Sequence, residues 1–436
     1  MKRKPIALLC AASLAACLCA CAQEGPGASS APSGASSSAA AQTDGQDAPQ
    51  AAASGALRAL TGDAPGGVYF AGENGGHALL CYVDAASAAE LPLCAAPACA
   101  HEDESCTAWL AQSLIAGPVY VDENTIAFIA EPSGEEGGAA QCVMAAEPGG
   151  AGRRVLYTAQ DGQWLQTLAA ADETALYVIL AQVDGEMSAQ YMLYRVPLDG
   201  GEAQALGELP QPVPTLLGVY GRSLVLYQYD FGSDDSDSVG PGSHRVFLWD
   251  VDTGEQTPLG ESWASEPGSA GRALCWSDGR LYWCADDRPG DLYWLEPDGA
   301  QGQAPVEWPE EIAGAQETAF SIERVGEGHA LITVWGPWGT DLIRRYAVDV
   351  ESGGAAAPVA LQYTSNASER PVRLLGACGG ELLAVFDEQT QFASYLRDDG
   401  SVGRETKTVA RCGFITWQDL LAGRPNYREV VVRYIL

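Results

Sequence analysis

Four side chains that could do chemistry together fall within thirteen residues: Cys94, Cys99, His101 and Cys106, in the stretch Cys94-Ala95-Ala96-Pro97-Ala98-Cys99-Ala100-His101-Glu102-Asp103-Glu104-Ser105-Cys106. Three thiols and one imidazole match the ligand number and type of a closed tetrahedral zinc site. The Cys-x4-Cys-x-His-x4-Cys spacing is not that of a standard zinc finger. A disulfide is the competing chemistry, with Cys94 joined to Cys106 or Cys99, because an exported chain meets an oxidising environment; free thiols are the third reading. The cysteine count leaves the choice open. Beyond an anchor at Cys21 there are nine, at positions 81, 94, 99, 106, 142, 275, 284, 378 and 412. That number is odd, so at least one is unpaired or metal-bound. Cys81, Cys142, Cys275, Cys284 and Cys378 lie in or beside apolar runs, where a free cysteine behaves as a small hydrophobe.

Other chemistry leaves little trace. No Gly-x-Ser-x-Gly elbow, phosphate-cradling Gly-x-x-x-x-Gly-Lys or dinucleotide fingerprint occurs, and no Cys-x-x-Cys-His would attach haem. The four histidines are His77, His101, His244 and His329. His77 and His244 are expected in solvated turns, and His329 at the start of a strand in a structural role. Paired carboxylates for glycoside hydrolysis carry no signal in a chain with 57 acidic residues, since almost any pair is available. Asp230, Asp234, Asp235 and Asp237 could ligate calcium, but they lack the ordered spacing of a calcium loop and read as a solvated loop.

The elements that position these residues begin with a leader. Lys2, Arg3 and Lys4 precede an apolar run from Ile6 to Ala20, too short for a membrane span and arranged as a secretory signal. Leu14-Ala15-Ala16-Cys17 and Leu18-Cys19-Ala20-Cys21 each resemble the lipobox of bacterial lipoproteins, which makes Cys21, or alternatively Cys17, the site of lipidation and of a palmitate-type acyl anchor. Residues 22–54 are Ala, Ser, Gly, Pro and Gln with almost no large apolar residue, so they cannot offset the entropy of ordering. They are expected to form a flexible spacer about 30 to 35 Å in root-mean-square span. The formal net charge is −33, and loss of the three basic residues with the signal makes the mature chain more negative still. Such a field excludes nucleic acid as a partner.

Residues 55–436 repeat one unit: an apolar strand, a turn, a second strand, then an acidic residue with glycine. Val68-Tyr69-Phe70 pairs with Leu80 to Asp84, Ile126 to Ile129 with Cys142-Val143-Met144, Leu176 to Ile179 with Leu193 to Val196, and Leu224 to Tyr227 with Val246 to Trp249. Leu281-Tyr282-Trp283 precedes Leu292-Tyr293-Trp294, Leu331 to Val334 precedes Tyr346-Ala347-Val348, and Leu382 to Val385 precedes Tyr395-Leu396 with Asp399-Gly400. Glycine accepts the positive φ of a tight hairpin while Asp bonds the local backbone. A small antiparallel sheet is unstable alone, and a radial array covers both of its faces. Seven units therefore predict an all-β chain folded as a seven-bladed β-propeller, with six or eight blades the alternatives. Phe414 to Leu421 reads as a short helical turn before a last strand, Glu429 to Tyr434, that completes the first or last blade. The Cys/His motif, at 94–106, is an insertion between blades one and two.

Pro92-Leu93-Cys94, Pro97-Ala98-Cys99-Ala100-His101 and Cys106 resemble the signature of a family of surface lipoproteins from Gram-positive gut bacteria. The lipobox, the propeller-like body and the terminal Gly423-Arg424-Pro425-Asn426-Tyr427 share that likeness, and Leu281 to Asp286 is similar to the Tyr-Trp-Thr-Asp repeats of one propeller type, TolB-like propellers being the other comparison. The resemblance implies architecture and an extracytoplasmic, lipid-anchored location on the outer face of the cell membrane, and supplies no activity. The expected function is binding of an extracellular ligand or protein partner, more in keeping with a non-enzyme. The alternative is an extracellular enzyme acting on glycan or peptide at the propeller's central face.

Overall fold

All six residues of the strand Thr125–Ala130 are buried, as are the first seven of Ala175–Val183. Unbroken burial along a strand means that both faces of its sheet are covered. The computed structural model describes residues 55–432 apart from 75–76, 95, 97, 102, 104, 111–113, 132–139, 184–188, 231–241, 266–270, 315–317, 337–342, 366–367 and 397–401, and of residues 73–74, 391–396 and 402–408 the backbone alone. The signal and lipobox with Cys17 and Cys21, the spacer 22–54, Asp234, Asp235, Asp237 and Asp399-Gly400 lie outside the described residues.

The fold is a seven-bladed β-propeller, each blade an antiparallel meander running from the axis outward. Blade 1 holds Asp63–Ala64, Gly67–Asn74, His77–Asp84 and Ala89–Pro92, and blade 2 holds Leu114–Asp122, Thr125–Ala130, Cys142–Ala146 and Arg154–Thr158. Blade 3 holds Gln163–Ala171, Ala175–Val183, Ala189–Pro197 and Gln204–Glu208, and blade 4 holds Thr215–Tyr220, Ser223–Asp230, Gly242–Asp250 and Gln256–Pro258. Blade 5 holds Ala273–Ser277, Arg280–Cys284, Leu292–Leu295 and Gln301–Ala304, and blade 6 holds Ala319–Gly326, His329–Trp335, Ile343–Asp349 and Gly353–Pro358. Blade 7 holds Arg373–Cys378, Glu381–Leu396, Val402–Thr416 and Arg428–Glu429. We call the face carrying the turns between first and second strands the lower face, and the opposite one the upper face.

The acidic turns lie on the lower face between third and fourth strands, and their carboxylates cap backbone N–H groups. Asp250 Oδ1 accepts from the Asp252 and Thr253 amides at 3.0 and 2.8 Å, and Asp349 Oδ1 accepts from Glu351 and Ser352 at 3.0 and 2.7 Å. Blade 7 departs from the expected unit. Leu382 to Val385 pair with Cys412 to Ile415, because Glu381–Leu396 and Val402–Thr416 form one long hairpin. Residues 397–401, outside the described ones, thus fall between second and third strands, and the helix Trp417–Leu421 stands where the acidic turn would be. The last strand, Arg428–Glu429, completes blade 7, and Val431 then bridges to Ala89 on the edge of blade 1.

Between each pair of neighbouring blades lies one hydrophobic cluster, seven in all: for example Phe128 and Leu80 between blades 1 and 2, Leu176 and Ile129 between 2 and 3, and Phe414 and Val83 between 7 and 1. A strap formed by residues 55–64 runs along the lower ends of blades 4, 3, 2 and 1 and joins three of these clusters, with Leu57 in the cluster of blades 3 and 4, Leu60 in that of 2 and 3, and Ala64 in that of 1 and 2. Arg58 and Ala59 pair with Ala171 and Ala170 of the inner strand of blade 3. Arg222 holds the strap's start, donating from Nη1 to the Gly55 carbonyl at 2.8 Å and to Asp172 at 3.1 Å. At its other end Asp63 accepts the Ala377 amide of blade 7 at 2.9 Å and lies 3.7 Å from Arg324 of blade 6. Gly62 is required where the strap passes blade 1, since a Cβ there would sit 2.2 Å from the Tyr69 carbonyl. Leu60→Ala should lower unfolding free energy by about 3 kcal/mol, whereas Leu91→Ala, at a side chain 46% exposed, should change it by less than about 0.5 kcal/mol; urea titration of the full-length protein reads both.

Candidate metal centre

The third strand of blade 1, His77–Asp84, has its outer edge covered in two pieces. Cys81 to Asp84 pair with Ala89–Pro92, and Ala78 and Leu79 pair with Trp109–Leu110. The intervening loop is fastened at both ends to one residue, because the Leu93 amide donates to the Leu80 carbonyl at 2.8 Å and the Leu80 amide to the Ala108 carbonyl at 2.9 Å. Thr107 Oγ1 donates to the Leu93 carbonyl at 3.0 Å and closes the neck. Within the loop Asp103 Oδ1 accepts the Ser105 amide at 2.9 Å, a turn that delivers Cys106 inward. Ala98 and His101 take left-handed backbone angles, φ 59° and 58°, a conformation costing a non-glycine residue roughly 1–2 kcal/mol. It persists where surroundings over-determine it.

This folding brings all four predicted ligands together. Cys94 Sγ, Cys99 Sγ, the His101 ring nitrogen and Cys106 Sγ lie within 4.8 Å of one another, with His101 Nδ1 3.1 Å from Cys106 Sγ. A zinc ion with sulfur ligands at about 2.3 Å sets them about 3.8 Å apart in a tetrahedron, so the cluster could hold a metal ion. Every described cysteine is a free thiol. Cys106 rests on a floor of Leu79, Cys81 and Ala108, and burial, with the hydrogen bonds its thiol donates to Cys94 and Cys99, pushes it up to about 11. Burial also raises Cys94, but hydrogen bonds from the Ala96 amide, Cys106 and Thr107 outweigh it and bring that thiol down to about 7.

Arg153, in the turn before the outer strand of blade 2, reaches across to the loop. Its Nη1 donates to the Trp109 carbonyl at 3.1 Å and its Nη2 to the Thr107 carbonyl. The close approach needs Gly150, φ +83°, where a Cβ would lie 1.9 Å from the Leu93 carbonyl. No local sequence signal marks Arg153, since its partners are 44 and 46 residues away.

The other histidines fall elsewhere. His77 opens a strand, exposed, with its ring 4.6 Å from that of Trp109, and His329 opens another, as expected. His244 is not in a solvated turn. It is fully buried in blade 4, stacked between Tyr229 at 4.3 Å and Trp263 at 5.2 Å, with Nδ1 2.8 Å from Tyr227 Oη and Nε2 2.6 Å from Ser265 Oγ. Trp263–Ser265 pairs with His244, Ser243 and Gly242 and covers them. Asp230 ends an inner-blade strand, exposed. A cleft of 710 Å³ opens on the lower face over blades 4 to 6, lined among others by Leu57, Tyr220, Arg280, Glu296, Asp298 and Glu351. Arg280 bonds Glu296 at 2.7 Å and Glu351 at 2.8 Å, leaving Tyr220, 44% exposed, as the open aromatic surface.

No family model matches the chain, and no curated protein does. Among solved structures it is similar to the β-propeller domain of the Trilobed protease from Pyrococcus furiosus, at 10% identity over 82% of this chain and 97% of that one with a TM-score of 0.43. A putative 6-phosphogluconolactonase from Bacteroides fragilis gives 16% identity over 84% and 100%, TM-score 0.36. The acylaminoacyl peptidase of Pyrococcus horikoshii gives 10% over 67% and 47%, TM-score 0.36. At these scores the blade count rests on the strand order above.

Burial depresses the His244 pKa below its ordinary value, with Arg272 adding to the effect and Asp286 opposing it. The unfolded chain then takes up this proton first, so His244 costs no stability above about pH 6.5 and an increasing amount as pH falls below that value. Unfolding free energy measured between pH 7.5 and 5 should fall, and His244→Gln should flatten that slope.

Proposed function

We propose that this chain is an exported surface protein, lipid-anchored through Cys21 or alternatively Cys17, whose propeller binds a ligand or protein partner and whose Cys94, Cys99, His101 and Cys106 cluster holds a structural zinc ion. The observation that supports binding over central-channel catalysis is the strap. Residues 55–64 pack along the lower ends of blades 1 to 4, so part of this end of the propeller is taken up by the chain itself. The neighbouring cleft, with Tyr220 exposed and carboxylates around it, is the surface offered to a polar ligand. The same cleft favours the second reading, an extracellular enzyme acting on glycan or peptide.

Zinc is the reading of the cluster because three sulfurs and one nitrogen at mutual distances under 4.8 Å match its preference for soft and borderline ligands in a closed tetrahedron. Elemental analysis of the full-length protein should give close to one zinc per chain, lost in a Cys99→Ser, His101→Ala double variant. Intact mass two hydrogens short per bridge, without metal, would establish the disulfide in its place. Metabolic labelling with an alkynyl palmitate should mark the wild type and fail in Cys21→Ser; persistence there and loss in Cys17→Ser would move the anchor. Calorimetry with chitin oligosaccharides and casein peptides, followed by mass spectrometry of the mixtures, separates the two readings. Binding without turnover, weakened by Tyr220→Ala, supports the first, and products that disappear with Tyr220→Ala support the second.

A further inference from the structure

We infer that Arg153 of blade 2 is the counter-charge of the metal centre in blade 1, so that metal occupancy is felt across the interface between the two blades. This rests on the zinc reading above. A zinc ion with three thiolates and a neutral imidazole carries one net negative charge, and a buried unit charge needs a partner. Arg153 supplies one positive charge at the right place. Its fork grips the carbonyls of Thr107, next to Cys106 in the chain, and of Trp109, two residues further on. Its guanidinium carbon stands 5.9 Å over the Phe128 ring, on the blade 2 side of the same interface.

Two further facts point to an anion here. Among the described residues no carboxylate pairs with Arg153; burial lowers its pKa, and the Cys106 and Cys94 sulfurs oppose that shift. Its Nε and the indole Nε1 of Trp109 are both buried donors without an acceptor. Orphaned buried donors are costly, and an anionic zinc–thiolate centre beside them offsets that cost electrostatically. Neighbours of this kind ordinarily change metal affinity 10–100-fold when removed. Arg153 is a positioning residue here, since it touches the chain that carries the ligands and leaves coordination to them.

The test titrates zinc-loaded full-length protein with the chromogenic chelator 4-(2-pyridylazo)resorcinol, and records the cobalt–thiolate charge-transfer band after substitution with Co²⁺. Arg153→Gln should weaken zinc binding about 10–100-fold and move that band to lower energy, because the thiolates lose a compensating charge. Arg153→Lys, which keeps the charge without the fork, should lose less than about tenfold and leave the band in place; it also decides the matter should Arg153→Gln fail to fold. Arg154→Gln, at the exposed neighbour that reaches the Leu198 carbonyl, should change neither. Zinc affinity within threefold of wild type and an unmoved band in Arg153→Gln would overturn the inference, as would an Arg153→Lys loss as large as about a hundredfold. A wild-type chain that takes up neither metal would instead overturn the zinc reading on which it stands.

Discussion

Among the described residues each of the seven blades turns buried apolar side chains toward both neighbours, and the rest of the architecture follows from having to cover both faces. Seven small meanders packed face to face around an axis give each one two neighbours, and the result is seven interblade clusters of comparable make-up. Such packing is non-directional, so it sets the radial arrangement without closing the ring. Closure comes from specific contacts: Val68 and Val83 of blade 1 pack with Phe414 and Val385 of blade 7, Val431 lies beside Ala89, and the strap threads Leu57, Leu60 and Ala64 into three successive clusters.

A radial array still leaves outer edges, whose unpaired backbone groups are a hazard. Blades 1 and 4 meet this in the same topological way and with different chemistry. In each, the third strand is covered by two short strands with a loop between, Ala89–Pro92 and Trp109–Leu110 in blade 1, Gln256–Pro258 and Trp263–Ser265 in blade 4. Blade 4 secures its second piece with the aromatic stack of Tyr229, His244 and Trp263. Blade 1 has the same kind of contact, His77 against Trp109, and a longer loop in which three thiols and an imidazole gather. A metal ion bound there would tie Cys94, beside one covering strand, to Cys106, beside the other, and Arg153 joins the second to blade 2.

How much of this could be read from the chain depends on the range of the interactions. Asp-Gly turns and apolar runs act over a few residues, so the repeat and its number were legible, as were the buried cysteines in strands. The Cys/His cluster was legible because its ligands lie in one short loop. Blade 7 was misread because Tyr395-Leu396, expected as a separate strand, continues Glu381–Leu396, and only the pairing of Leu382 with Ile415 reveals it. His244 looked solvated because the residues that bury it, Tyr227 and Trp263, come from two other strands. The strap gave no warning either. Leu57 and Leu60 follow a low-complexity spacer, and their burial against blades 2, 3 and 4 depends on residues in those blades, far along the chain. Arg153 was invisible for the same reason.

The claim on which these connections converge is that four side chains of the blade 1 loop share one metal ion. X-ray absorption at the zinc edge on the full-length protein measures it directly. The account predicts three sulfur scatterers at about 2.3 Å and one nitrogen at about 2.0–2.1 Å. A shell of oxygen and nitrogen alone, or no zinc edge from protein isolated under zinc-replete conditions, would contradict it.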